Sequence, residues 1–174
     1  MTIKDLKPMP LIDLKRHNNM AAIKGKDTKP EMVVRKYLWS HGFRYRPNHP
    51  RLPGKPDIVL RKYRTCIFVN GCFWHGHEGC RLYTVPKTNI TYWNNKIRRN
   101  RERDVNVLQK LAAMGWHAIT IWECQLKPVV REETLTSVIF TLNHIFLQHH
   151  RIVKQYDEGV CNTPIAAEEK EDTY

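Results

Sequence analysis

The chain has 174 residues, enough for one domain with a real core, and its 29 Lys and Arg against 17 Asp and Glu leave a formal net charge of +12. The excess is uneven: residues 151–174 hold six acids and three bases, so residues 1–150 carry 26 bases and 11 acids, a net of +15. So basic a body fits a polyanion, with nucleic acid ahead of an anionic membrane surface, and the lack of any eighteen-residue apolar run or apolar signal core argues against a spanning helix and for a soluble protein of a reducing compartment.

Residues 1–27 are polar and Lys-rich and read as an extended basic arm. A helix starts at Thr28, where Glu31 three residues later makes a capping box and Pro30 sits in the first turn; Val34, Tyr37 and Leu38 share a face, and Gly42 is the stop signal. Arg46–Pro56 contains four prolines and reads as loop. Two short strands follow, Asp57–Arg61 and Thr65–Val69, joined by a tight turn at Lys62-Tyr63-Arg64. Residues 71–90 have no period and concentrate Gly, Cys, His and aromatics, which predicts an irregular loop held by ligands. A second helix is expected from Tyr92 to Met114, a third strand over Trp116–Trp122, and a last helix on the period of Leu135, Val138, Ile139, Leu142, Ile145 and Phe146. Beyond Arg151 the chain turns acidic and loses its pattern, as a mobile tail would. The order α-β-β-α-β-α predicts one α/β domain over residues 28–150 around a small mixed sheet, with the arm before it and the tail after it.

Two constellations carry chemistry. In Gly54-Lys55-Pro56-Asp57-Ile58, a proline-rich loop becomes an apolar strand at a carboxylate. Pro56 keeps the entry extended. A carboxylate at a strand end can hold Mg²⁺ between protein and phosphate, since magnesium takes one or two carboxylates and keeps several waters; an ordinary turn aspartate has the same local sequence. The second constellation is Cys72-x4-His77-x2-Cys80, with Cys124 after the third strand. Thiolates and imidazole suit tetrahedral zinc, and four protein ligands make a closed, structural site. The five cysteines are an odd set with no disulfide framework. His75 competes with His77 for the fourth position, and buried free cysteines with solvent-facing histidines are the plain alternative. Phe73 and Trp74 in the same loop, and Trp93 at the start of the second helix, fit either core packing or apolar wedges that enter a base step.

The run Gly54-Lys55-Pro56-Asp57 followed by Ile67-Phe68-Val69-Asn70-Gly71-Cys72-Phe73-Trp74-His75 resembles the very-short-patch-repair (Vsr) mismatch endonucleases. Asn19-Met20-Ala21-Ala22-Ile23, Lys26-Asp27-Thr28 with Glu31, Pro86-Lys87-Thr88 through Trp93, and Trp122-Glu123-Cys124 match in order. The resemblance covers roughly residues 15–127. It implies a restriction-endonuclease-like core, αββαβ with a mixed sheet flanked by helices, and a hydrolase that nicks one strand of duplex DNA at a T·G mismatch left by deamination of 5-methylcytosine. It also implies roles for individual residues. Asp57 is the central Mg²⁺ ligand, aided by the Val69 carbonyl; His75 is the general base; Glu31 orients the water and histidine network; Asn100 and Asp104 lie near the scissile phosphate. Phe73, Trp74 and Trp93 form the wedge, and Cys72, His77, Cys80 and Cys124 hold zinc. A monomer working in the bacterial cytoplasm on the nucleoid, linked to a cytosine-5 DNA methyltransferase and to downstream repair proteins, follows from the same likeness.

The chain departs from the family's best-known pattern in two places. A second active-site histidine is Asn70 here, which hydrogen-bonds phosphate but carries no proton at neutral pH. The gap between His77 and Cys80 is one residue longer than in some relatives, an insertion that Gly79 accommodates. Two rival readings remain at this stage: a dimeric restriction-type nuclease that cuts paired sites, and a zinc DNA-binding module without catalysis.

Overall fold

The computed structural model describes residues 25–158; the arm up to residue 24 and the tail from residue 159 lie outside the described residues. Helix α1, Lys29–Ser40, begins as its sequence dictates. Thr28 is the N-cap, with its hydroxyl accepting from the Glu31 N–H, and a proline stands in the first turn. The Glu31 carboxylate does not close a reciprocal box on the Thr28 amide. It takes the Thr28 hydroxyl at 2.7 Å and the Asp27 N–H at 2.9 Å instead. Gly42, at φ +82°, ends the helix, and the Phe43 N–H returns to the Leu38 carbonyl at 2.9 Å.

Four strands make one sheet in the order β1-β2-β3-β4: Arg46–Pro47, Ile58–Leu60, Thr65–Asn70 and His117–Trp122. β1 to β2 and β2 to β3 are antiparallel, whereas β3 to β4 is parallel. The two-residue β1 is the one strand absent from the sequence reading. It sits at the edge, where Pro47 needs no ladder partner for a missing N–H. The turn between β2 and β3 is a short 3₁₀ segment, Arg61–Tyr63, closed by Arg64 in the left-handed region at φ +44°. Arg64 also donates to the carbonyls of Met114 and Gly115 at 2.9 and 3.1 Å, satisfying the end of the next helix.

That helix, α2, spans Ile90–Ala113, and α3 spans Arg131–Glu158, so the last helix continues past Arg151. The central strands are apolar on both faces because both are covered. Ile58, Leu60 and Ile67 pack with Val34 and Leu38 of α1 and with Leu135, Val138 and Leu142 of α3. Val59 and Cys66 pack on the other side with Leu52 and with Leu111 of α2. Ile58 stands opposite Ile67, and Asn70 lies beside Trp122. The start of β2 and the exits of β3 and β4 therefore gather at one end of the sheet, and the functional residues collect there.

Candidate active site and metal centre

At that end a cleft of about 700 Å³ is lined by Glu31, Asp57, Val69, Asn70, Trp74, His75 and Asp104, among others. One side of it is set by the loop before β2. Gly54 turns at φ +72° against α2, where a Cβ would come within 2.5 Å of the Val107 side chain, so only glycine fits. The chain then delivers Asp57 beside β3, and its Oδ2 accepts the Val69 N–H at 2.8 Å. Burial pushes the Asp57 carboxyl above the usual carboxylate range. The Val69 N–H, the positive charge of Arg35 and, when it is protonated, that of His75 pull the other way, while Glu31 adds to the rise. A carboxyl raised by desolvation is one that a cation would bring back to its charged form.

Behind Asp57 lies a buried polar network. Glu31 and Arg35 are only 3% and 4% exposed, and each stays in the interior because the other neutralises it. Arg35 Nη2 donates to Glu31 Oε2 at 3.0 Å and to the Asp57 carbonyl at 3.0 Å, while Nη1 pairs with Asp27 at 2.5 Å. That hydrogen bond pulls the Asp27 carboxyl below its ordinary value. Arg35 thus bolts α1 to the backbone of the residue that opens β2. The sequence reading missed it, although its i+4 spacing from Glu31 was visible. Glu31 faces this network and lines the cleft.

On the opposite wall, the His75 Nδ1 meets Asp104 Oδ2 of α2 at 2.5 Å. A carboxylate partner selects the Nδ1–H tautomer and leaves Nε2 as the basic nitrogen. Asn100, one turn earlier, is not on the cleft wall: its amide donates to the Trp74 carbonyl at 2.8 Å and holds the aromatic loop. Lys55, Arg103 and Glu123 also line the cleft. Lys55 and Glu123 lie inside runs already singled out, Gly54-Lys55-Pro56-Asp57 and Trp122-Glu123-Cys124, without a role given to them, and Arg103 lies in no motif, because each is a charged residue among many until the chain is folded.

Beyond His75 the loop doubles back. Gly76 is buried at φ +62°, and a Cβ there would lie 2.6 Å from both Ile97 and Arg101. Arg101 donates to the Gly76 carbonyl and pairs with Glu78 at 2.6 Å. This reversal turns His75 and His77 to different partners. His77 joins Cys72, Cys80 and Cys124, and the four ligand atoms lie within 4.8 Å of one another. The His77 Nδ1 is 3.6 Å from Cys72 Sγ and 3.4 Å from Cys124 Sγ, and its ring stacks flat on Trp122, 4.1 Å between centroids and 2° between planes. Of the two imidazoles, it is His77 that stands among the three sulfurs, while His75 faces Asp104. Burial pushes the Cys72 thiol up to about 12, whereas the Leu82 N–H lowers that of Cys80. Three sulfurs and one imidazole nitrogen in this space can hold one soft or borderline metal ion.

Between the two groups stands an aromatic cluster. Phe73 lies 5.2 Å from both Trp74 and Trp93, centroid to centroid, and Trp74 and Trp93 are 6.0 Å apart. All three are part-exposed. Tyr92, 56% exposed and 5.3 Å from Trp93, extends the cluster outward; its place beside Trp93 was the available signal, and it was passed over.

The model for the family described as DNA mismatch endonuclease Vsr matches residues 11–81. The "Type II nicking enzyme V.NmeAIP" of Neisseria meningitidis is 50% identical over 113 residues, 65% of this chain and 80% of the relative. The "Type II nicking enzyme V.XorIIP" of Xanthomonas oryzae pv. oryzae is 46% identical over 64% of this chain and 82% of its own. The "DNA mismatch endonuclease Vsr" of Escherichia coli K12 is 41% identical over 64% of this chain and 71% of its own. The chain therefore belongs to the Vsr family of DNA mismatch endonucleases and, with it, to the hydrolases that cut DNA internally.

Proposed function

We propose that this protein is a magnesium-dependent endonuclease that nicks one strand of duplex DNA at a T·G mismatch arising from deamination of 5-methylcytosine. The carrying observation is the convergence, in one cleft, of the Asp57 carboxylate and the His75–Asp104 pair, with Trp74 on the same wall. The donors fit the cation: Asp57 is a hard oxygen ligand whose burial favours a positive partner, and the Val69 carbonyl is the second protein ligand in this reading. A magnesium ion held by Asp57 and Val69 would supply relief of negative charge on the phosphate and the leaving oxygen. The protein's own groups do the rest. His75 accepts through Nε2 the proton of the attacking water, and Asp104 holds the ring and stabilises its charged form. Glu31, fixed by Arg35, supports Asp57 and orients the water and histidine network from the α1 side. Asn70 contacts phosphate as a neutral hydrogen-bonding group. Asn100 contributes by securing the Trp74 loop beside the scissile phosphate.

Phe73, Trp74 and Trp93 enter the opened base step, which costs least at a mismatch. Zinc is the metal of the Cys72, His77, Cys80 and Cys124 cluster, with a purely structural role. The remaining features form one picture: a restriction-endonuclease-like monomeric domain over residues 28–150, a basic arm before it, an acidic tail after it, and action on cytoplasmic DNA together with a cytosine-5 methyltransferase and downstream repair proteins. A nicking assay tests the reading, using Mg²⁺ and duplexes with T·G in varied flanking sequence. One strand should be cut at T·G and fully paired duplex left intact. Double-strand cutting of paired sites would replace the reading with a restriction-type nuclease, and binding without any cutting would leave a zinc DNA-binding module.

A further inference from the structure

We infer that a second cavity, remote from the cleft, is a phosphate-binding site that grips the backbone of the same duplex. It measures about 610 Å³ and is lined by Arg46, Pro47, His49, Pro50, Arg51 and Arg61, at the exposed edge of the sheet. Several arginines elsewhere have work to do. Arg35, Arg98 and Arg101 pair with carboxylates, Arg64 donates to the end of α2, and Arg44 lies 4.0 Å over the Trp39 ring. Among the described residues, no carboxylate pairs with Arg46, Arg51 or Arg61. The His49 Nδ1 at the same place is buried without a hydrogen-bond partner. Three guanidinium groups and an unsatisfied ring nitrogen around one hollow repel and under-satisfy one another until an anion enters. Pro47 and Pro50 stiffen the rim, so little ordering is needed on binding.

Position selects the anion. Arg46 stands opposite Val59, whose side chain packs towards Leu111 of α2. The pocket therefore shares a side of the sheet with α2, the helix from which Arg103 and Asp104 wall the cleft. Arg61 follows the last residue of the strand that Asp57 opens, so roughly 13 Å of extended chain separates the two positions. That span lies well inside one ~34 Å turn of duplex, and a single DNA molecule can reach both. Arginine forks suit phosphate bidentately, and a contact to phosphate alone sets register and affinity without reading sequence.

The inference rests on the endonuclease reading, and its test separates the two. The full-length Arg51→Gln/Arg61→Gln variant should bind T·G duplex more weakly at low salt. The slope of log K against log[KCl] should be shallower by about 0.9 for each phosphate released. Perfectly paired duplex of the same length should show the same change in slope. An unchanged slope in a variant that melts like wild type overturns the inference. So does wild-type binding of inorganic phosphate that the variant loses while its DNA slope is unaltered, because the hollow would then serve a free anion. Should the double variant fail to fold, Arg51→Gln alone, at an exposed loop position, carries the same slope measurement. Wild-type protein that binds duplex without nicking T·G would refute the mismatch reading, and the slopes would still decide the pocket.

Discussion

The two ligand clusters of this protein lie within one loop of each other and are built on opposite principles. Three of the four soft donors sit between Cys72 and Cys80, the fourth follows β4, and they already stand within 4.8 Å of one another. The hard, oxygen-bearing cleft draws its groups from α1, the entrance of β2, the exit of β3 and the middle of α2. The first is a clasp that holds a loop to a strand; the second is a junction that exists only when the domain is folded. His75 and His77, separated by buried Gly76, are the hinge between them: one imidazole serves each cluster. Adjacent histidines in a sequence can therefore belong to unrelated chemistry, and the backbone reversal between them decides which.

If the soft cluster is a clasp, its loss should be felt as instability. Structural zinc supplies on the order of 10 kcal/mol to small domains. Removing it with a chelator, or making Cys124→Ser, should lower the melting temperature by well over about 10 °C, with one zinc per chain found by elemental analysis of untreated protein. Protein that is free of zinc yet equally stable would break the comparison at its strongest point.

The hard cleft should respond the other way, losing chemistry rather than fold. Asp57→Asn removes the charge proposed to hold magnesium, for an expected loss of several kcal/mol of transition-state stabilisation, or about a thousandfold or more in nicking rate. Binding to T·G duplex should persist or tighten, since affinity comes mainly from the basic residues and the wedge. Stability carries a signature as well. The folded-state pKa of Asp57 is raised by burial, so the folded protein holds that proton more firmly than the unfolded chain does. This contribution favours folding at low pH and is lost as pH rises from the ordinary carboxylate value through the raised one. Without divalent metal, Asp57→Asn should therefore melt higher than wild type at neutral pH, and the gap should close in acid. A variant that nicks at the wild-type rate, or that melts lower at neutral pH, would show that Asp57 is a structural turn residue.

The smallest effect separates the aromatic cluster from both ligand clusters. Stacking of a base on an aromatic ring is worth roughly 1–3 kcal/mol, so Trp74→Ala should weaken T·G binding about ten- to a hundredfold with little change in melting temperature. Because Trp74 is part-exposed and packs mainly on Phe73 and Trp93, truncation removes a wall of the cleft rather than a piece of either core. A core residue would instead cost about 3–5 kcal/mol of stability, and normal affinity per folded molecule would exclude the wedge.

Local sequence was enough to define α1 with its Thr28 cap and Gly42 stop, the apolar runs that became β2, β3 and β4, and the candidate soft donors Cys72, His77, Cys80 and Cys124, which the fold draws together, while the choice between His75 and His77 was left to the fold. Caps, glycines and strand periods act over a few residues, and thiolate–imidazole chemistry is written in residue type. The single carboxylate at Asp57 was legible because a proline-rich loop met an apolar strand there. Tertiary structure alone decided the partners. Arg35 reaches Asp57 across 22 positions and His75 reaches Asp104 across 29, pairings that no local pattern encodes. The edge strand Arg46–Pro47 and the arginine-lined hollow beside it were hidden for the same reason. Four prolines in one segment read as loop, and only the neighbouring strand gives that segment a ladder to join and brings Arg61 across to Arg46 and Arg51. Sequence determines what a residue can do over short range; folding determines which distant group it meets, because a contact made through space has no signature along the chain.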